Sequence, residues 1–283
     1  MNLIKTETVK LKAKRAYIKK GTCSRTFLYI LNREFGHPMG EEEMAVDPLA
    51  GGILQQGYQC GMLWGASLAV GAEAYRRFDD PNKATVVAIL ATRHLMESFK
   101  ERTKSIECYD ITNCDMTNKW NITKHFLKGK FFSCFKLAEK WAPEAVRAAI
   151  EGLSFDQSNF PESAISCASE VARRMGATEK EMVMVAGFAG GMGLSGNGCG
   201  ALAAAIWMTT LELVRNEKQE WKYSIDDPIN GKVLEAFYQT TNYEMECHNI
   251  CGKQFDSVNE HTQFIRNGGC DKLIKELSQT MIN

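Results

Sequence analysis

The sequence repeats itself. Cys199 follows Cys60 by 139 residues, and Cys247 follows Cys108 by the same 139. The flanks repeat with them. Ala50-Gly51-Gly52, Gly57 and Cys60-Gly61 recur as Ala189-Gly190-Gly191, Gly196 and Cys199-Gly200, while Glu107-Cys108 with Ile111 recurs as Glu246-Cys247 with Ile250. The offset holds without a gap from about residue 50 to 111. Outside that block Cys23 pairs with Cys167 at offset 144 and Cys134 with Cys270 at 136, shifts that loops can absorb. Self-similarity at a fixed period sets the organisation of a chain before any element is assigned. The expectation is two copies of a unit of about 140 residues, spanning 1–153 and 154–283. The join falls between Gly152 and Pro161, where Ser, Asp, Asn and Pro cluster.

The local patterns are helical. Residues 84–104 carry apolar positions at helix period and end in a charged turn. Pro143 to Gly152 reads as a helix with Pro near its start and Gly at its end. Residues 162–175 stop at Gly176, and 269–280 reads as a terminal helix. Sustained strand alternation is absent. The fold expected is all-α: two similar helical domains from an internal duplication, related by a pseudo-two-fold axis.

One run tests for a membrane. Met182 to Leu211 holds thirty residues without a charge, long enough to span a bilayer. Seven of them are glycine, so the run should break into helix, turn and helix, each too short to cross. Buried core is the expectation. The chain has 34 basic and 34 acidic residues, so no charge excess argues for a nucleic acid. A basic start (Lys5, Lys10, Lys12, Lys14, Arg15, Lys19, Lys20) lacks the apolar core of a secretory signal and reads as a solvated arm. A cytoplasmic protein, with its thiols held reduced, is the corresponding expectation.

Ten cysteines then need a use. Four fall in order in each unit: Cys23, Cys60, Cys108 and Cys134, then Cys167, Cys199, Cys247 and Cys270. Four thiolates can hold an iron–sulfur cluster or a tetrahedral zinc. Their gaps of 37, 48 and 26 residues, then 32, 48 and 23, are too wide for a local ligand motif, so the donors must converge from separate helices. Cys60 and Cys199 each follow a glycine-rich stretch and open an apolar helix, where unpaired N–H groups and the helix dipole favour thiolate. Gly190, Gly191, Gly196 and Gly200 would let backbone approach a cofactor and offer it N–H donors. The competing reading makes these glycines packing devices and the cysteines small core residues. Cys114 and Cys251 have no counterparts; each is either a spare thiol or an extra ligand.

The five histidines form no close-spaced metal pair, and only His248 adjoins a candidate ligand, where it could tune or protonate the site. Gly191-x-Gly193-x-x-Gly196 matches the dinucleotide spacing, but no strand pattern precedes it. No P-loop and no nucleophile elbow is present.

With these residues in view the sequence resembles a family of redox-active proteins named for their C_GCAxxG_C_C pattern. The second unit carries Cys167, the glycines from Gly187, Cys199-Gly200-Ala201, Cys247 and Cys270; it departs at Ala204, where the pattern has Gly. The first carries Cys60-Gly61-Met62-Leu63-Trp64-Gly65, keeping the final Gly and replacing the Ala. The four cysteines also resemble the set in the non-haem part of split-Soret cytochromes. The resemblance implies a redox protein with one or two iron–sulfur clusters per chain and a protein redox partner, acting as an oxidoreductase or an electron-transfer component of one. Metal-free thiol–disulfide chemistry and structural zinc are the alternatives. The second unit is the safer site, and the tandem arrangement suits a monomer or a homodimer.

Overall fold

The computed structural model describes residues 13–127, 132–154, 163–217 and 222–280, apart from the side chains of Lys119, His125 and Phe126. Among the described residues the regular elements are helices, joined by two isolated β-bridges. Residues 13–20 are helical (α1). The first repeat continues through α2 (Cys23–Glu34), α3 (Glu41–Ala45), a 3₁₀ turn (Asp47–Leu49), α4 (Gly61–Arg77), α5 (Pro81–Thr103), α6 (Cys108–Thr112), α7 (Lys119–Leu127) and α8 (Phe132–Leu153). The second holds α9 (Cys167–Arg174), α10 (Glu179–Ala186), α11 (Gly200–Glu217), α12 (Pro228–Thr241), α13 (Cys247–Cys251), α14 (Val258–Arg266) and α15 (Asp271–Gln279).

Local chemistry sets the ends. Thr22 and Ser166 accept from the backbone N–H groups of Arg25 and Ser169, capping α2 and α9. Thr178 and Glu181 form a capping box at α10. Asp80-Pro81 and Asp227-Pro228 start α5 and α12 in the same way, with an Asp N-cap and Pro in the first turn. Both helices end on a left-handed residue, Lys104 and Asn242.

Two local expectations are corrected. Pro143 lies inside α8 rather than at a helix start: the helix begins eleven residues earlier, at Phe132. Proline gives up one backbone hydrogen bond there, and burial of Trp141, Ala142, Ala145, Val146 and Ala149 on the α5 side sustains the helix. The basic start is not a free arm over its described part. Ala13, Ala16 and Tyr17 of α1 are buried, and Lys20 sits 3.8 Å from Glu43 and 4.3 Å from the Tyr29 ring centroid. Lys5, Lys10 and Lys12 lie outside the described residues, as does most of the expected join, residues 155–162.

The two repeats share one hydrophobic core that runs from Ala13 to Leu277. Helix α4 packs on α2 and α5 within its repeat and on α10 of the other, while α11 packs on α3. Small residues make the crossing close. A Cβ on Gly71 would stand 2.4 Å from the Met184 carbonyl oxygen, and one on Gly187 would stand 2.2 Å from Thr92 Oγ1. Trp64 meets Phe188 edge-on at 4.9 Å, and Trp207 Nε1 donates to the Glu42 carbonyl at 3.4 Å. The charge-free run 182–211 is buried core split between α10, a turn and α11, and among the described residues no helix is long and apolar enough to cross a membrane.

Candidate functional site

Each repeat contains the same left-handed turn. Residues 51–55 and 190–194 all have positive φ, from +48° to +77°. Left-handed backbone costs roughly 1–2 kcal/mol for each non-glycine residue, here Ile53, Leu54 and Gln55 in one copy and Met192 and Leu194 in the other. Equivalent hydrogen bonds close both turns: Gly57 N–H donates to Gly51 O at 3.0 Å and Gly196 N–H to Gly190 O at 2.9 Å. A Cβ on Gly52 or Gly191 would strike backbone six residues on, at 2.3 Å from Tyr58 N and 2.5 Å from Asn197 N. Glycine is required there for two separate reasons, φ and space.

The turn delivers its cysteine to a bridge. Cys60 N–H donates to Ile106 O and Cys108 N–H to Tyr58 O, both at 2.7 Å. In the second repeat Cys199 N–H donates to Met245 O at 3.1 Å and Cys247 N–H to Asn197 O at 2.7 Å. These antiparallel bridges, Gln59↔Glu107 and Gly198↔Glu246, fix the spacing between the second and third cysteines of each set. The same bridge recurs at the same 139-residue offset in both repeats.

Most of the repeated cysteines sit where helices begin. Cys23, Cys108, Cys167 and Cys247 are first residues of α2, α6, α9 and α13; Cys60 and Cys270 are N-caps of α4 and α15, and Cys199 directly precedes α11. Cys134 is the third residue of α8. Backbone N–H groups therefore reach the sulfurs: Gly51 and Ser24 to Cys23, Met62 to Cys60, Gly190 and Ala168 to Cys167, Leu202 and Ala201 to Cys199. Gly190 acts as a donor toward its cysteine. Gly191 gives the Cys247 side chain room: a Cβ there would stand 2.8 Å from Cys247 Cβ. Gly196 accepts from His248 N–H at 2.9 Å, and Gly200 lets the Phe188 carbonyl pack where a Cβ would be only 2.0 Å away.

In the first repeat the thiols surround a cavity of about 210 Å³. Cys23, Cys60, Cys108 and Cys134 line it, and so does Cys114. Tyr17, Met62, Met116 and Leu137 complete an apolar wall, and Tyr223 and Ile225 of the second repeat close one side. Tyr223 is tied to Gln55 of the left-handed turn by a hydrogen bond. In the second repeat Cys167, Cys199, Cys247, Cys251 and Cys270 form one electrostatic group in which thiolate charge on one raises the pKa of others. Cys251 Sγ lies 3.8 Å from both Cys247 Sγ and Cys270 Sγ. The two thiols without sequence counterparts thus join the two clusters. None of the ten cysteines is in a disulfide.

The expected thiolate preference at Cys60 and Cys199 is overturned. Burial pushes Cys60 well above the ordinary thiol range and Cys199 up to about 12; the charges of neighbouring thiolates add to this. Burial likewise raises Cys23 and Cys108 above the ordinary thiol range, and pushes Cys134 up to about 12 and Cys167 up to about 11. Helix-start N–H groups oppose the shift but do not outweigh desolvation. Cys251 differs: hydrogen bonds from the Cys247 and Cys270 thiols hold it below the ordinary range.

Between the clusters lies a polar contact that the sequence did not announce. Gln59, fully buried, donates through Nε2 to Glu107 Oε1 at 2.8 Å and to Glu246 Oε1 at 3.1 Å. These glutamates are the N-caps of α6 and α13, each one residue before a cluster cysteine. Burial raises Glu107 to about 7, with the Glu246 charge adding to it, and burial also raises Glu246. At the matching position the second repeat has Gly198, whose Cβ would lie 1.7 Å from Gln59 Oε1. His248 is exposed and its Nδ1 pairs with the Gly196 carbonyl at 2.8 Å. The buried histidine near Cys251 is His261, pressed edge-on against Phe255 at 4.9 Å.

The fold and its two thiol clusters define a class: an all-α protein built from two tandem cysteine-rich units. The family described as "Putative redox-active protein (C_GCAxxG_C_C)" matches residues 22–147 and again residues 163–283, and the chain belongs to it. Both copies of the duplication are thereby members, the divergent first as well as the second. No curated protein and no solved structure matches the chain.

Proposed function

We propose that each repeat holds an iron–sulfur cluster on its cysteines and that the chain transfers electrons to a partner protein. The observation that carries this reading is the ring of thiols around one cavity, assembled from segments far apart in sequence. The donor set fits: thiolate is the ligand that iron–sulfur clusters take, four to a cluster. Cys23, Cys60, Cys108 and Cys134 would hold one, and Cys167, Cys199, Cys247 and Cys270 the other. Such a cluster, when bound, accepts and releases single electrons.

The chain's own contribution is threefold. Backbone N–H groups of Gly51, Met62, Gly190 and Leu202 already point at sulfur, as donors that stabilise a charged ligand set. Burial keeps the metal-free Cys23, Cys60, Cys108, Cys134, Cys167 and Cys199 thiols protonated, so loading releases protons and strengthens as pH rises. The apolar wall of the cavity keeps water from the sulfurs. Among the described residues no group of three or more His, Cys, Asp or Glu side chains is already placed to hold a metal ion, so either a cluster or a zinc ion would require the thiols to draw together on loading.

Iron and acid-labile sulfide analysis on anaerobically prepared protein tests the reading. The expected result is a brown protein with both elements, reduced by Cys60→Ser and by Cys199→Ser, and most by the two together. Colourless protein without iron or sulfide after anaerobic reconstitution sinks it; zinc alone would make the sites structural.

A further inference from the structure

Cys251 has no partner in the other repeat. The position 139 residues earlier is Thr112, whose hydroxyl donates to the Cys108 carbonyl at 2.7 Å. Cys251 Sγ stands 3.8 Å from two sulfurs, Cys247 and Cys270, and the two are not equivalent. Cys247 and Cys251 are the first and last residues of α13, spaced i and i+4. Cβ atoms at that spacing are about 5–6 Å apart on a helix, whereas a disulfide needs about 3.8 Å. While α13 stays wound, that pair cannot close.

Cys270 lies on a separate segment, as the N-cap of α15. The chain can yield on both sides of the gap. Gly252 follows Cys251 at φ +70° with open space around it, and Gly268, at φ +82°, and Gly269 precede Cys270. Cys251 and Cys270 are also the two partly exposed members of the cluster; Cys167, Cys199 and Cys247 are buried. An oxidant from solvent reaches this pair first.

We propose that Cys251 and Cys270 form a reversible disulfide in the metal-free protein, with a small-molecule disulfide as oxidant. The Cys251 sulfur attacks the reagent RS–SR, its proton passing to solvent; the S–S bond breaks and one RS⁻ leaves, taking a proton to become RSH. The Cys270 thiol then displaces the second RSH from the mixed disulfide. Two protein thiols are oxidised and one reagent disulfide is reduced to two thiols. The site goes beyond the cluster reading and does not depend on it. It also withdraws Cys270 from the four-cysteine set, so oxidation would bar the second repeat from metal, and dithiol reduction would restore it. At the position of Cys251 the first repeat has Thr112.

The full chain, reduced and freed of metal with a chelator, is treated with hydroxyethyl disulfide, alkylated, digested and mapped by mass spectrometry. The expected result is loss of two of the ten thiols and a peptide crosslinked through Cys251 and Cys270. Cys251→Ser and Cys270→Ser should each abolish that crosslink, and Cys114→Ser should leave it intact. Retention of all ten thiols, or a dominant crosslink through Cys247 or the first repeat, overturns the proposal. Brown, iron-loaded protein whose metal-free form gives no 251–270 crosslink refutes this site and leaves the cluster reading standing. The crosslink in a protein that never takes up iron does the reverse.

Discussion

Replacing Gly191 by alanine tests whether the left-handed turn is a spatial requirement or only a conformational one. Gly191 has φ +77°, so alanine meets the left-handed penalty of roughly 1–2 kcal/mol. Its Cβ would also fall 2.5 Å from Asn197 N and O and 2.8 Å from Cys247 Cβ. Backbone cannot swing aside, and overpacking of this kind costs roughly 1–3 kcal/mol. The expected total is about 2–5 kcal/mol, a large part of the 5–15 kcal/mol typical of a folded domain. Gly176→Ala is the matched control: φ is +83° and nothing lies within 4 Å, so only the conformational penalty remains. Effects on the unfolded chain are common to both substitutions and cancel in the comparison. Urea unfolding followed by far-UV circular dichroism gives both numbers, provided the slope is unchanged. Equal midpoints for the two variants would refute the close-contact argument. Iron uptake should also fall in Gly191→Ala and persist in Gly176→Ala, because only the former displaces Cys247.

Three further outcomes are expected. Burial lowers His261 from 6.5 to about 4, so between those values the unfolded chain binds a proton that the folded chain refuses. Stability should therefore rise with pH across that window, by about 3 kcal/mol in all, and His261→Gln should flatten the rise in urea titrations at pH 4–7. Gly198→Ala drives a methyl into Gln59, so it should destabilise strongly alone and much less in a Gln59→Ala background; additive effects in the double-mutant cycle would show that the contact is not what matters. Trp207→Ala removes a fully buried ring that reaches Glu42 across the repeats, and a loss of roughly 3–5 kcal/mol in chemical denaturation is expected.

The duplication is legible because the positions around the Cys60–Ile106 bridge and its copy, Cys199–Met245, carry residues the local geometry demands: glycines at the left-handed turn and cysteines at the bridge. The same demands make the cysteine pairing readable. Cys114 and Cys251 are not legible by offset, which compares positions, whereas the fold brings both thiols to their clusters from different positions. The ionisation of Cys60 is not legible in its local sequence for a related reason. Its helix start is local and visible, while the burial that raises its pKa is contributed by α1, α2 and α8, whose docking no local pattern encodes. Glu107 and Glu246 were seen to repeat, yet Gln59 had no signal, since its counterpart is glycine. Helix α1 reads as an arm because its four basic residues, Lys14, Arg15, Lys19 and Lys20, outnumber the buried Ala13, Ala16 and Tyr17 that anchor it.

That single glutamine also makes the two halves complementary rather than interchangeable. Two copies of the first half, paired as the two halves pair here, would bring two amides to a space that holds one. Two free copies of the second half would bring two glycines and leave a pair of buried carboxylates with no donor between them. Neither half can rebuild the present interface by self-association. With Gln59 on one side and Gly198 on the other, the halves are unlike parts of one contact, and each depends on the other to fill it.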